Sequence, residues 1–547
     1  MSNNQPSLTQ EQIDSVVALF TNGQFQEVID TIKILNESYP NVPLLFNIIG
    51  ASYKALGQLS GAIQMFENAV AIKPDYSEAH KNLGISLKDL GRLDAAVISF
   101  KKSITLEPNN VDTHYNLAVT LKAMNHLDSA VKSYEKVVSI KPDFAAAHNN
   151  LGNIFKDLGQ FDDALKSYKK VIAINPNSPE SYNNLGNAFK ELNQLNDAVK
   201  SYKKAIAINP DFAEAHNNLG NAFKDLERLD DAVNNYEKAI SINQNFAEAY
   251  FNLGIVLKQL RQLDQAVIAH EKAIAIKPDF AEAHNNLGNC FTVLGQMDAA
   301  TDSYEKAIAI KPGLAEAHYF LGFNFFTLGR IKEAAKLFEN AINIKPDYAQ
   351  AHAKLGNIFK KLKQFDKAML CYERAYEIKP DMNFILGDIL NNKLNLCDWT
   401  GLASLLNEAK KKIVNNEKAI GPFSLLSLLD DPALQRKASE TFAKFYYPKS
   451  HALPKLELYS RHKKIRIGYF SADFKVHPVA TLTAELYEMH DRNNFEIHAF
   501  SFGPDTNDEL NLRIKAGVDH FHDVQLTSYK EIALLARSLE IDIAVDL

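Results

Sequence analysis

The sequence predicts a mainly α protein: an α-solenoid superhelix of stacked helical hairpins, followed by a partial α/β Rossmann-like domain. Three observations carry this. A 34-residue period runs through the first two-thirds of the chain, it stops after Pro380, and from residue 463 strand-like and helix-like runs alternate. At 547 residues the chain is too long for one hydrophobic core, which agrees with a division into parts.

Three grids define the period. Gly50, Gly84, Gly152, Gly186, Gly220, Gly254, Gly288, Gly322 and Gly356 share one, with Ala118 in the gap. Prolines from Pro40 to Pro380 share a second, broken only by Gln244. Alanines from Ala62 to Ala368 share the third, each followed four residues later by an aromatic such as Phe66, Tyr134 or Tyr202, except at His270. A small residue lets helix backbones approach, and the ring fills the space beside them. Proline cannot continue a helix, so IKPDF-like segments close one unit and open the next. The following Asp75, Asp143 and Asp279 are expected in a first helical turn, where an acid suits the dipole. Spacings such as Leu151, Ile154, Phe155 and Leu158 are helical.

Units like AEAHNNLGNCFTVLGQMDAATDSYEKAIAIKP resemble the tetratricopeptide repeat family. Ten clear copies lie between residues 43 and 382, and a degenerate one at 9–42 makes about eleven tandem repeats over 9–382. Each hairpin buries its apolar face only against its neighbours.

Asn82, Asn116, Asn150, Asn184, Asn218, Asn252 and Asn286 recur one residue before the Leu-Gly pair. Mid-helix propensity does not favour asparagine, so this ladder is a candidate peptide-binding surface, its amides pairing with the backbone of an extended client. The competing reading is that the asparagines solvate a groove or bond between repeats. A second set, Asn153, Asn187, Asn221 and Asn289, is expected on the same face. The ladder ends at Phe320 and Lys354, where the groove is expected to change character. His80, His114, His148, His216, His284, His318 and His352 share a position with Tyr182 and Tyr250. One histidine per repeat cannot converge on a metal, so these read as packing residues.

Sixty basic and 66 acidic residues give a net charge of −6, without a basic block to follow a phosphate backbone, which argues against a nucleic-acid partner. Cys290, Cys371 and Cys397 form no CxxC pair and no metal-ligand spacing. No signal-like N-terminal segment and no 18-residue apolar run is present, so the expected location is cytoplasmic, away from membranes.

Residues 383–462 keep a helical pattern without the period and read as a buried helical linker, with Asp430-Asp431-Pro432 as a helix start. From 463 to 547, strands are expected at Ile465–Phe470, Phe495–Phe502, around HFHDV and in IDIAVDL, with helices between them. This order predicts a parallel, doubly wound sheet with its site at the strand C-termini, and no GxGxxG follows the first strand. His520 and His522, which flank Phe521 on a short strand, are expected to alternate across the sheet.

NLCDWTGLASLL and IRIGYFSADFKVHPVATL resemble the O-linked N-acetylglucosamine transferases of the GT-B glycosyltransferase class, in particular bacterial homologues. That resemblance implies a GT-B N-terminal lobe at 463–547 and transfer of GlcNAc from UDP-GlcNAc to Ser or Thr of proteins, with inversion, without a metal, and with no cofactor besides the donor substrate. It also implies an asparagine-lined repeat groove that recruits protein or peptide substrates. Through its Asp-Phe-x-x-His-Pro element it places His477 in the active site, where an imidazole can accept a proton or bond the diphosphate-sugar. The family's donor-binding second lobe is not found by Leu547, so the expectation for these residues is an inactive, C-terminally truncated fragment of a transferase. The alternatives are a repeat scaffold without catalysis and a glycosyltransferase with another donor or acceptor.

Overall fold

The computed structural model describes residues 8–446, 462–525 and 527–547. The linker residues 447–461 and position 526 of the C-terminal domain lie outside the described residues. Two compact units divide at Pro346 and Asp347.

Helices α1 (Gln10–Thr21) through α22 (Phe365–Ile378) form eleven antiparallel pairs, the first twenty in the first unit and the last two in the second. From the second repeat onward, thirteen-residue first helices alternate with fourteen-residue second helices. Within a pair, the grid glycine of the first helix faces the ring sixteen residues later on the second. A Cβ on Gly186 would lie 2.5 Å from the Tyr202 ring, and one on Gly152 would lie 2.6 Å from that of Tyr168. The rings and the grid alanines are fully buried. Small residue and ring thus form one contact between two helices, and this contact sets how closely the hairpin closes.

The ring hydroxyls explain the second asparagine set. Tyr168 donates to Asn153 Oδ1, Tyr202 to Asn187, Tyr236 to Asn221, Tyr304 to Asn289 and Tyr372 to Asn357, at 2.7–2.9 Å. These side chains hold their own hairpin's tyrosine. Where the ring is Phe66, Phe100 or Phe338, the residue fifteen earlier is Ala51, Ile85 or Phe323. Two repeats break the rule. Tyr134 faces Val119 and its hydroxyl has no partner, and His270 faces Ile255 with both ring nitrogens unpartnered, all among the described residues. Burial pushes the fully buried His270 imidazole down to about 3.

The hairpin turn places one residue per repeat in the left-handed region. It is glycine in Gly57, Gly91, Gly159, Gly295 and Gly329, but Glu227, Arg261 and Lys363 also adopt it at φ 57–63°. Asp75, Asp143 and Asp279 differ from expectation: they occupy the turn before the N-caps Tyr76, Phe144 and Phe280. The first-turn acids are residues such as Glu78, Glu214 and Glu282, because the proline turn uses two residues before helix geometry begins. Cys290 lies fully buried in the core of the first unit.

In the second unit, α22 shares a core with α23 (Ile385–Leu396), through Met369 and Tyr372 against Ile385 and Ile389. Helices α24 (Leu402–Val414), α25 (Pro422–Leu426) and α26 (Pro432–Tyr446) close around Leu390, Ala409, Ile413, Ile420 and Leu425. Asp431 Oδ1 caps α26 by accepting from the amides of Ala433 and Leu434, both at 3.1 Å. The bridge is not buried throughout. Trp399 is 64% exposed and Phe423 85% exposed. Cys397 ends α23 with φ 52°, and Asp398, paired with Lys393, accepts from the Thr400 amide, so the chain turns and Trp399 projects outward.

The sheet consists of β1 (Ile465–Ser471), β2 (Phe495–Ser501), β3 (His520–Asp523) and β4 (Ile543–Asp546), all parallel in the order β3-β2-β1-β4. Helices α27 (Pro478–Met489) and α28 (Glu509–Gly517) pack on the face of Ile467, Tyr469, Ile497 and Ala499. Helix α29 (Tyr529–Ser538) crosses the other face and meets Phe470 and Phe500 through Ile532 and Leu535. Strand order reverses between β1 and β4, which makes the loop after β1 the edge of a switch-point crevice. No helix among the described residues is long and apolar enough to cross a membrane.

Candidate functional site

Two sets of residues need geometry: the asparagine ladder on the repeats and the loop after β1. They lie in separate units.

Every ladder asparagine is half-buried. Asn82, Asn218 and Asn252 each donate Nδ2 to a side-chain oxygen of the preceding repeat, Asn47, Asn183 and Asn217, at 3.0–3.1 Å. Asn150 reaches Tyr115 Oη in the same way, at 3.2 Å. Asn116 and Asn286 donate to the carbonyls of Asp112 and Glu282 within their own helices, and Asn116 accepts from Lys88. Bonding between repeats is therefore one job of the ladder. It fixes these amides in orientation through Nδ2, in residues that stay half-buried. Asn218 lines a cavity of about 440 Å³ with Lys156, Asn187 and Lys190. Beyond the ladder's end the lining changes: Phe320 and Phe323 join Lys258, Arg261 and Thr292 around a cavity of about 410 Å³.

The repeat histidines have a common structural task. Nε2 of His80, His114, His148, His216, His284 and His318 bonds the carbonyl of the proline six residues earlier, at 2.9–3.2 Å. Each ring closes the proline turn onto the next first helix.

His477 follows β1 on the loop 472–477 and is the N-cap of α27, with Pro478 at the first helical position. Its Nδ1 accepts from the Val479 amide at 3.3 Å and lies 3.5 Å from Asp473 Oδ2. The ring is 39% exposed, at the C-terminal edge of the sheet and outside its interior. With a proton on Nδ1, Asp473 can hold the ring and Nε2 becomes a base; with Nδ1 accepting, Nε2–H becomes a donor. Backbone amides at the start of α27 add positive potential at the same place.

Sequence reasoning missed the residues that hold this loop. Asp508 caps α28 through the Asn511 amide at 2.9 Å, and its Oδ2 accepts from the Val476 amide at 2.9 Å. The Thr506 hydroxyl first, and then those amides, hold its carboxyl below the usual range. Fully buried Asn511 donates to the Phe474 carbonyl at 2.6 Å. At Gly503 an added Cβ would sit 1.8 Å from the Ala472 carbonyl oxygen. No local pattern marks Asp508 as a loop anchor, since its partner lies 32 residues away.

A second cluster also escaped notice. His520 and His522 do not alternate across the sheet. Two residues apart on one strand, they share a face with His498 and Glu496 of β2.

Paired helices on a 34-residue period with a parallel doubly wound sheet after them define a tetratricopeptide-repeat protein with an α/β segment. The TPR repeat family matches residues 50–91, 121–159, 152–192, 186–227, 220–260 and 322–363. Further tetratricopeptide matches cover 77–110, 99–132, 247–280, 281–314 and 349–382. Glycosyl transferase family 41 matches 443–543. A curated relative from Arabidopsis thaliana, the probable UDP-N-acetylglucosamine–peptide N-acetylglucosaminyltransferase SEC, is 35% identical over 85 residues. That stretch is 16% of this chain, and the chain spans only 9% of the relative's length. Among solved structures, MamA is 33% identical over 30% of this chain and 95% of its own, with a TM-score of 0.28. YrrB, described as a TPR protein with an unusual peptide-binding site, is 28% identical over 35% of this chain and 99% of its own, with a TM-score of 0.30. The chain thus carries tetratricopeptide repeats and, at 443–543, a segment that matches glycosyl transferase family 41, and it is similar over 85 residues to a curated N-acetylglucosaminyltransferase.

Proposed function

We propose that this protein recruits protein or peptide substrates on its repeats for transfer of GlcNAc from UDP-GlcNAc to Ser or Thr hydroxyls at the C-terminal edge of the sheet. The observation that carries the reading is His477, an N-cap at a switch-point crevice with Nε2 directed away from its one ordered backbone partner. With the proton on Nδ1, Asp473 steadies the ring and Nε2 accepts a proton; with Nδ1 accepting from Val479, Nε2–H instead bonds the donor, and in either form the α27 N-terminus favours the anionic diphosphate. Gly503, Asp508 and Asn511 are positioning residues for that loop. On the repeats, ladder amides held by their neighbours present carbonyl oxygens to peptide N–H groups irrespective of client sequence.

In the family the uridine and diphosphate contacts come from a second lobe, so transfer is assayed on protein that carries it. With radiolabelled UDP-GlcNAc and a Ser/Thr protein acceptor, His477→Ala is expected to lower transfer at least about 100-fold. Peptide binding should persist in that variant and weaken in an Asn184→Ala, Asn218→Ala, Asn252→Ala triple variant. Undiminished transfer by His477→Ala removes that residue from the mechanism. Binding with no transfer by the parent protein leaves a scaffold.

A further inference from the structure

Far from the His477 loop, the sheet carries a group of side chains that the sugar-transfer reading does not use. On the α29 face, toward the N-terminal ends of β2 and β3, Glu496, His498 and His520 bring one ligand atom each within 4.8 Å of the others. Glu496 Oε1 lies 3.3 Å from His498 Nε2 and 3.1 Å from His520 Nε2. Adjacent vertices of a tetrahedron around a zinc-class ion with bonds of about 2.0–2.1 Å are about 3.3–3.4 Å apart. The carboxylate-to-imidazole spacings therefore already suit ligands of one ion.

Three further observations point at the gap between these atoms. His498 is 3% exposed, and its Nε2 makes no hydrogen bond although a carboxylate is near, so a buried nitrogen is left facing the cluster. Its other nitrogen is engaged: Nδ1 lies 3.1 Å from His522 Nε2, and donation from Nδ1–H would leave Nε2 as a lone-pair ligand. The second carboxylate oxygen of Glu496 accepts from Arg466 Nε at 3.2 Å, so Oε1, which His520 Nε2 bonds at 3.1 Å, is the oxygen turned to the gap.

We infer that Glu496, His498 and His520 form a binding site for one divalent transition-metal ion of the zinc class, with His522 and Arg466 as its supporting shell. Two imidazoles and a carboxylate are a familiar ligand set for such ions, and the 51% exposure of His520 leaves a coordination position open to water. The ion would tie edge strand β3 to β2. It lies on the face opposite α27 and toward the other end of the strands, so it takes no part in chemistry at His477.

The test is titration of the metal-free full chain with Co²⁺, followed by the visible absorption of a low-coordinate cobalt site and by calorimetry. One equivalent is expected, displaced by Zn²⁺. His520→Ala, a half-exposed position where folding is not at stake, should weaken binding at least about 100-fold, and His522→Ala about 10-fold or more. His498→Phe should abolish the spectrum, with circular dichroism checking that it folds. If the parent chain binds no stoichiometric Co²⁺, or if His520→Ala titrates like the parent, the site does not exist.

Discussion

Polar residues in the repeats solve one problem many times, whereas those in the α/β segment each solve a problem of their own. A repeat histidine bonds the proline carbonyl six residues back, and the same contact recurs in repeat after repeat. In the sheet, His498, His520 and His522 meet because β2 and β3 pair in register, 22–24 residues apart in sequence. Glycine shows the same contrast. A side chain on Gly186 would press on the ring of Tyr202, while one on Gly503 would run into the backbone of Ala472. Rings can shift, as Ala118 beside Tyr134 shows; a backbone carbonyl in a capped loop cannot. Periodic sites are therefore tolerant and redundant, and single sites are neither.

The sharpest way to break this comparison is a pair of alanines. Gly503→Ala should destabilise the α/β segment by about 3 kcal/mol, and Gly186→Ala should cost its repeats nearer about 1 kcal/mol. Hydrogen exchange followed by mass spectrometry over residues 465–501 and 179–208 reads both, and equal losses would erase the distinction. Next in size is acid sensitivity at the one irregular ring. His270 has a folded value of about 3 against 6.5 for the free group. As pH falls, the unfolded chain takes up the proton first. The contribution is thus complete above pH 6.5 and lost progressively down to about 3. By pH 5 the loss should be on the order of 2 kcal/mol in urea titrations, and an Ile255→Asn, His270→Tyr double variant should lack it. The smallest effect is a hydroxyl. Tyr202→Phe leaves Asn187 without its donor and should cost about 1 kcal/mol, while Tyr134→Phe removes a hydroxyl with no partner and should be neutral or slightly stabilising.

How much was legible in the sequence follows the same line. Repetition made the helical hairpins plain, because Gly, Pro and Ala each reported the same contact many times over. The strands stood out through apolar runs such as Ile465 to Phe470. The pairing of Tyr168 with Asn153 was hidden, because the asparagine lies on the other helix and looked like part of the ladder. His477 was found through a motif, but Gly503, Asp508 and Asn511 were not, since their contacts with residues 472–476 depend on a loop-to-loop approach that no local pattern encodes. Residues 383–462 read as a buried linker from their helical pattern, yet a left-handed residue at Cys397 turns Trp399 out.

The placement of the cysteines gives the protein a built-in clock. Cys290 is sealed in the core with burial pushing its thiol up, while Cys397 lies exposed at a helix end. An alkylating reagent reaches the second at once and the first only when neighbouring hairpins part. The ratio of the two labelling rates therefore times how often the repeats breathe, and a bound client that clasps several hairpins should slow the Cys290 count and leave the Cys397 count unchanged.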